Sequence, residues 1–545
     1  MDTRLIMKYI AYLFELKSIQ SYLMAGGKLK DMVNASDMLE QITEGSANEP
    51  GWLDSVLELS NLTLNNDPSK GALVNLSRRA GGAVYLISEA SEKEKLEKFR
   101  LLWTLAVQQI LPDCEFVDCL TNEGLNAFDC VAKGRVQLLE QRSLFYPSLP
   151  LSTPITQIAP RTGTPASGKK DKEWLDKSGL QKRQYRSAKS NLARKFSQSD
   201  TKDWPSSLEH RDFPYIGEEK DIAIIHIDGN GLGQILMDLA SSVETAPDGY
   251  IKFYSTFSNK LKEATEAAAQ EATEKVLIDD CIERDEKTMA ARPLVLGGDD
   301  LTIIIRADLS LSFSRIFIES FEKHTSGIKK ALKALKKDYK TSPKLFEKLP
   351  DRLTACGGIV FQKASQPFMM GFTLAESLCG FSKITSKAIS DTKIPSSLTF
   401  YQIQSSVTDD YSTIKEQELT SIDKRFLTLG TYSLGEYQTD TMPALNALQS
   451  SVQLLSQHQQ SGVISKLRQW VGHLLVDVNA ADAYEEQLDK SLRLQDKNYH
   501  LLKKSIKELM MYDKQLQHTG ALPWFDSQNN SPLVDLITLT NLEIK

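Results

Sequence analysis

The residues best equipped for chemistry lie at 293–305, in the stretch PLVLGGDDLTIII. Gly297, Gly298, Asp299 and Asp300 interrupt apolar, β-branched runs, which is the pattern of a hairpin with paired carboxylates at its tip. A further acid, Asp228, ends the apolar stretch DIAIIHID and is followed by GNGLG. Antiparallel pairing of these strands would bring three carboxylates together, an arrangement that repels itself unless cations neutralise it. Hard oxygen ligands suit Mg²⁺ or Mn²⁺, and two such ions about 4 Å apart can activate a 3′-hydroxyl and stabilise a leaving pyrophosphate. Gly297 and Gly298 would let a nucleotide come close to the backbone. The competing reading is a Gly-Asp turn exposed to water, which GGDD alone does not exclude. Asp228 on an earlier strand favours the metal reading. His226 shares a strand face with Asp228 and reads either as a substrate contact or as a satisfied core histidine.

The elements that must position these residues recur along the chain. Its 545 residues are 41% apolar and 25% charged, an ordinary composition for a globular protein with several cores. Residues 1–147 read as mixed α/β, with strands YIAYLFEL and GGAVYLI and a helix EKEKLEKFRLLWTLAVQQIL. Residues 148–219 are rich in Pro, Ser, Thr and Gly, then basic, and read as a connector or small insert. Residues 220–410 return to α/β, and 411–545 to helices, with Leu445, Leu448, Val452 and Leu455 stepping by three and four. IAYLFELKSIQSYL aligns without gaps under AIIHIDGNGLGQIL, placing Glu15 under Asp228. The later glycine pairs align too, so that Ala83 and Val84 stand where the second copy has Asp299 and Asp300. Two copies of one unit are expected, only the second able to bind metal. The helix TLAESLCGFSKITSK carries Lys383, a point charge for a triphosphate or an ordinary solvated lysine.

Net charge is −6, yet residues 161–200 hold eleven Lys/Arg against four Asp/Glu, a local +7. That patch suits a phosphate backbone or, equally, a solvated linker. The six cysteines show neither C-x-x-C nor zinc spacing, and no apolar run of about eighteen residues or signal peptide is visible, so a reducing cytoplasm and no membrane are expected. GTPASGKK misses the hydroxyl of a P-loop, and GNGLG lacks the last glycine of a dinucleotide fingerprint.

Taken in order, HIDGNGLG, LGGDDLTII, GGIVFQKASQPF and AESLCGFSK resemble the palm domain of the large subunit of type III CRISPR effector complexes. They resemble more distantly the GGDEF nucleotide cyclases, where an A-[DE]-x₆-K helix ends in a triphosphate-binding lysine. KSIQSYLMAGGKLKDMVNAS is similar to that subunit's opening segment, and SSLTFYQIQSS and LTLGTYSLGE to the stretch leading into its C-terminal helices. The resemblance implies an α+β fold with two ferredoxin-like, GGDEF-like palms and a C-terminal helical bundle. The first palm (1–147) would be degenerate and the second (220–410) active, separated by a basic linker with a degenerate zinc knuckle (148–219) and followed by the bundle (411–545). It implies an oligonucleotide cyclase, a nucleotidyltransferase that joins ATP into cyclic oligoadenylate messengers in antiviral defence. Carried over by position, Asp228, Asp299 and Asp300 would be catalytic and hold two Mg²⁺ or Mn²⁺ ions with the Gly229 carbonyl. Gly229, Asn230, Gly297, Gly298 and Lys383 would bind the nucleotide. Expected partners are ATP or another NTP, RNA, and small helical subunits.

Three departures qualify this. EHRDF lacks the companion ligands of an HD nuclease, Ala159 in APRTGTPA replaces a zinc-binding cysteine so no zinc is expected, and Asn230 stands where the family often has Asp. A stand-alone cyclase therefore competes with an RNA-guided subunit. The alternatives are a non-catalytic RNA-binding scaffold that uses the basic residues 182–195, and a GTP-using dinucleotide cyclase.

Overall fold

The structure, a computed structural model, describes residues 8–44, 51–64, 71–80, 82–144, 155–185, 191–198, 201–205, 213–215, 220–242, 249–336, 346–347, 349–390, 393–404, 410–437, 441–457, 462–495, 499–516 and 524–543. Most of EHRDF (209–212) and part of the basic stretch (186–190) lie outside them.

Strand β1 (Tyr9–Leu16) lies inside a four-stranded antiparallel sheet with β2 (Asn75–Ala80), β3 (Ala83–Glu89) and β4 (Phe116–Leu120), in the order β2-β3-β1-β4. A second sheet repeats that order. Strands β5 (Asp221–Gly229), β6 (Ala291–Gly297), β7 (Asp300–Arg306) and β8 (Ala355–Lys363) run β6-β7-β5-β8, all antiparallel. It is extended by β9 (Ser396–Gln402), parallel to β8, and by β10 (Thr431–Leu434). The last strand comes from within the span read as helical, because TYSL is too short to carry a strand signal of its own. Each half follows a strand–helix–hairpin–helix–strand course, with α1 (Leu29–Glu44) and α2 (Lys93–Ile110) in the first and α4 (Gly249–Ala272) and α5 (Ser310–Thr325) in the second. A further helix follows the fourth strand of each half, α3 (Ala127–Arg142) and α6 (Phe368–Ile389).

The apolar runs follow from burial on both faces. On β5, Ala223, Ile225 and Ile227 pack into the core with Phe253, Phe257 and Phe317 of α4 and α5. Ile222 and Ile224 pack with Phe372, Ala375 and Leu378 of α6. Edge strand β6 accommodates Pro293 at a bulge, where a ladder donor is not required.

Register corrects one detail of the repeat. Ala80 pairs with Ala83, and Gly297 with Asp300, across two-residue turns. The counterparts of Asp299 and Asp300 are therefore Gly82 and Ala83, not Ala83 and Val84. Aligning the glycine pairs misplaced them by one, because the second copy sets its glycines one position earlier around the turn.

Beyond β10, Leu445, Leu448, Val452, Leu455, Val463, Leu467, Trp470, Leu474, Leu502, Ile506 and Leu509 are all buried in helices, as their spacing requires. Among the described residues no helix is long and apolar enough to cross a membrane.

Candidate active site

Asp228 is the penultimate residue of β5, flanked by β7 and β8. Asp300 opens β7, so that continuing the ladder one step beyond the Ile227–Leu301 pair sets it beside Asp228. Asp299 occupies the turn after Gly298, whose φ of +64° is a left-handed conformation that glycine adopts freely. The Gly298 carbonyl accepts a hydrogen bond from Thr265 Oγ1 on α4 at 2.6 Å, which fixes the tip. The Gly229 N–H donates to Asp299 Oδ2 at 3.2 Å. Lys383 reaches down from α6, its Nζ donating to Asp228 Oδ2 and, at 3.0 Å, to the Gly229 carbonyl.

The electrostatics are those of crowded acids. Burial, then repulsion from Asp228 and Asp300, pushes Asp299 up to about 7. Asp300 moves the same way, through burial and then Asp228, and its Oδ1 is buried without a hydrogen-bond donor. His226 lies 3.5 Å from that oxygen and 3.1 Å from Thr302 Oγ1, and burial holds its imidazole below the ordinary range. Burial would lower Lys383, but Asp228 outweighs it and holds the ammonium charged.

A divalent cation fits this donor set. The Lys383 ammonium already sits between Asp228 Oδ2 and the Gly229 carbonyl, two hard oxygens, and Asp300 Oδ1 has no proton to accept. Among the described residues no group of three or more His, Cys, Asp or Glu side chains is arranged to hold a metal unaided.

Beside the acids lies a cavity of about 500 Å³ between the two halves. Gly297, Gly298, Asp300 and His226 line it from the second half, Arg78 and Arg79 from the first. At Gly297 and Gly298 the space that a side chain would fill is open, which leaves the backbone accessible. The size is within the roughly 300–1,000 Å³ of small-molecule sites. Asp228, Gly229, Asn230, Asp299 and Lys383 are not among its lining residues, and Asn230 turns away into the protein. The residue is buried, its N–H and amide donating to the Thr354 carbonyl and Oγ1 at 2.8 and 3.1 Å.

The first half keeps an echo of this geometry. Glu15 on β1 is held by Arg142 at the end of α3, as Asp228 is held by Lys383 on α6. Arg78, at 3.3 Å, and Tyr85 also hold Glu15, and together these donors overcome burial and keep its carboxyl below the usual range. Arginines thus neutralise the acid in the half whose hairpin has no carboxylates. Nothing in the linear sequence pointed to Thr265, Arg142 or Arg78, because each acts across the fold.

Part of the basic stretch turns inward among the described residues. Lys182 and Arg183 are buried, with Arg183 donating to both oxygens of Asp31 at 2.6 Å, and Lys195 pairs with Glu40 at 2.6 Å. Three of the cations that an RNA scaffold would use are therefore consumed inside the protein. Ala159, in place of the expected knuckle cysteine, is buried, and its N–H donates to the Thr164 carbonyl at 2.9 Å.

No family model and no curated protein matches the chain. Solved structures do. A crystal structure of a Csm1-Csm4 cassette in complex with AMPPNP is 12% identical with a TM-score of 0.51, covering 99% of this chain and 70% of that one. The cassette in complex with pppApApA is 11% identical with a TM-score of 0.50 over the same shares. Over nearly its whole length, this chain has the fold of the Csm1 chains of type III CRISPR complexes.

Proposed function

We propose that this protein is a metal-dependent nucleotidyltransferase that joins nucleoside triphosphates, ATP first among them, into cyclic oligonucleotide messengers for antiviral defence. The observation that carries the reading is the meeting of Asp228, Asp299 and Asp300 with Lys383, at the edge of a cavity that Asp300 lines and that is large enough for a nucleotide. The AMPPNP and pppApApA complexes of the Csm1-Csm4 cassette support it by fold, as does the duplicated sheet, which we read as a degenerate palm and an active one ahead of a helical bundle. By the same likeness, a Csm4-like subunit is the partner we expect.

Two Mg²⁺ or Mn²⁺ ions, when bound, would lower the pKa of a 3′-hydroxyl and offset charge on the leaving pyrophosphate. Asp228, Asp299, Asp300 and the Gly229 carbonyl would hold them. The chain's own part is alignment. Gly297 and Gly298 let the nucleotide lie against the hairpin, the Thr265–Gly298 bond keeps the tip still, and Lys383 exchanges Asp228 for phosphate oxygens when substrate arrives. Fixed charges in a half-buried site act without reorganising, which is where most of the rate enhancement arises. The burial of Lys182 and Arg183 removes two of the cations that the scaffold reading would use.

The test is incubation of the protein with each labelled NTP and Mn²⁺ or Mg²⁺, with and without RNA, and mass spectrometry of the products. Adenylate oligomers that vanish in Asp299→Ala/Asp300→Ala are the expected result. Full product yield from that variant would end the proposal.

A further inference from the structure

Directly behind the Lys383–Asp228 contact, the core contains a knot of four polar groups. Asp228, Cys356 and Ser397 lie in one row across β5, β8 and β9, each paired with the next. Ser397 Oγ is 2.6 Å from Ser382 Oγ, 2.7 Å from Ser386 Oγ and 3.2 Å from Cys356 Sγ. Ser382 precedes Lys383 in α6, and Ser386 lies one turn further on. All three serines and Cys356 are fully buried.

Apolar residues of similar volume would pack such a core without the desolvation cost of hydroxyls. A satisfied polar network does something that apolar packing does not, because its bonds are directional and allow one register between the surfaces it joins. Here the joined surfaces are the rung of the sheet that bears Asp228 and the turn of α6 that bears Lys383. A shift of α6 by a fraction of a turn would break the bonds of Ser382 and Ser386 to Ser397 and carry the lysine off the Asp228 and Gly229 oxygens.

We propose that Ser382, Ser386 and Ser397, with Cys356, are positioning residues that lock α6 in register and so hold Lys383 at the nucleotide site. The consequence for catalysis rests on the function proposed above, whereas the placement of Lys383 does not, and the experiment keeps the two apart.

Ser386→Ala and Ser397→Ala each remove one oxygen and leave the helix and strand backbones intact. The first readout is independent of activity: trace acylation with acetic anhydride, with Lys383 followed by peptide mass spectrometry. Lys383 is expected to acylate several-fold faster in both variants while other lysines do not change. The second readout is steady-state kinetics, where KM for the NTP rises about tenfold and kcat changes by less than about threefold. In a Lys383→Ala background the same serine substitutions should add nothing to KM. Unchanged acylation of Lys383 would overturn the inference, as would a KM effect of equal size in the Lys383→Ala background. Absence of product from the parent protein with every NTP would overturn the proposed function instead, and the acylation rates would still decide this one.

Discussion

Asp299 and Asp300 are held where two carboxylates are poorly tolerated, and this has a measurable cost. Burial and then repulsion from Asp228 push Asp299 up to about 7, and Asp300 in the same direction. Between about pH 4 and 7 the folded protein therefore keeps protons that the unfolded chain has released. The stability contributed by the pair is fully present below about 4 and is lost as pH rises through about 7. Without divalent cations at pH 8, Asp299→Asn/Asp300→Asn should melt several degrees above the parent, with a smaller gap at pH 5 that closes as pH falls below about 4. Saturating Mg²⁺ should raise the parent and leave the variant where it was. Oligonucleotide synthesis by the variant should fall by about 10³-fold or more, the scale of losing the charges that hold the reacting groups. Differential scanning fluorimetry at the two pH values, with and without Mg²⁺, checks the first part. A parent that melts higher than the variant at pH 8 without cations would show that the acids are not crowded.

At the scale of the element, α6 and β8 set the depth at which Lys383 meets Asp228. They touch at Gly358, where an added Cβ would lie 2.2 Å from the Ala375 carbonyl and 2.6 Å from the Cys379 nitrogen. Backbone cannot yield as a flexible side chain does, so Gly358→Ala must push α6 off the sheet. A loss of about 2–4 kcal/mol is expected, in the range of strained core insertions, with acylation of Lys383 rising as the helix lifts. Chemical denaturation measures the first and peptide mass spectrometry the second. Much of this layer was legible beforehand. The runs DIAIIHID and PLVLGGDDLTIII are apolar enough to require strands buried on both faces, and GGDD can only be a turn between them. The partner of Lys383 was not legible, because an isolated lysine on a helix has the same local signal whether it faces water, phosphate or Asp228. Nor was the direction of Asn230, since Thr354 lies more than a hundred residues away and only the folded loop brings them together.

Over the whole molecule, the basic insert acts as a clamp between the halves that enclose the cavity. Along α1 of the first half, Asn34 donates to the Lys182 carbonyl at 2.7 Å, Tyr185 OH donates to Gln41 at 2.8 Å, and Lys195 pairs with Glu40. Toward the second half, Gln270 on α4 donates to the Lys195 carbonyl at 3.2 Å, and Lys195 Nζ reaches the Leu296 carbonyl on β6 at 3.5 Å. Composition could not show which of the cations face inward, since Arg183 and Lys195 meet their acids on α1 only in the fold. The strongest tie is Arg183 with Asp31, both almost fully buried. Removing one member leaves the other charged and without its counter-ion in the interior, so Arg183→Met or Asp31→Leu alone should cost about 3–5 kcal/mol. Replacing both removes the desolvation penalty along with the attraction, so Asp31→Leu/Arg183→Met should recover most of that loss. Hydrogen exchange at residues 29–44 and 177–184, with urea midpoints, reports the effect. Each single variant should lose protection in both segments at once, and the double variant should regain it. If the double variant is as unstable as the sum of the singles, the two side chains contribute independently, and their pairing is not what holds the insert to α1.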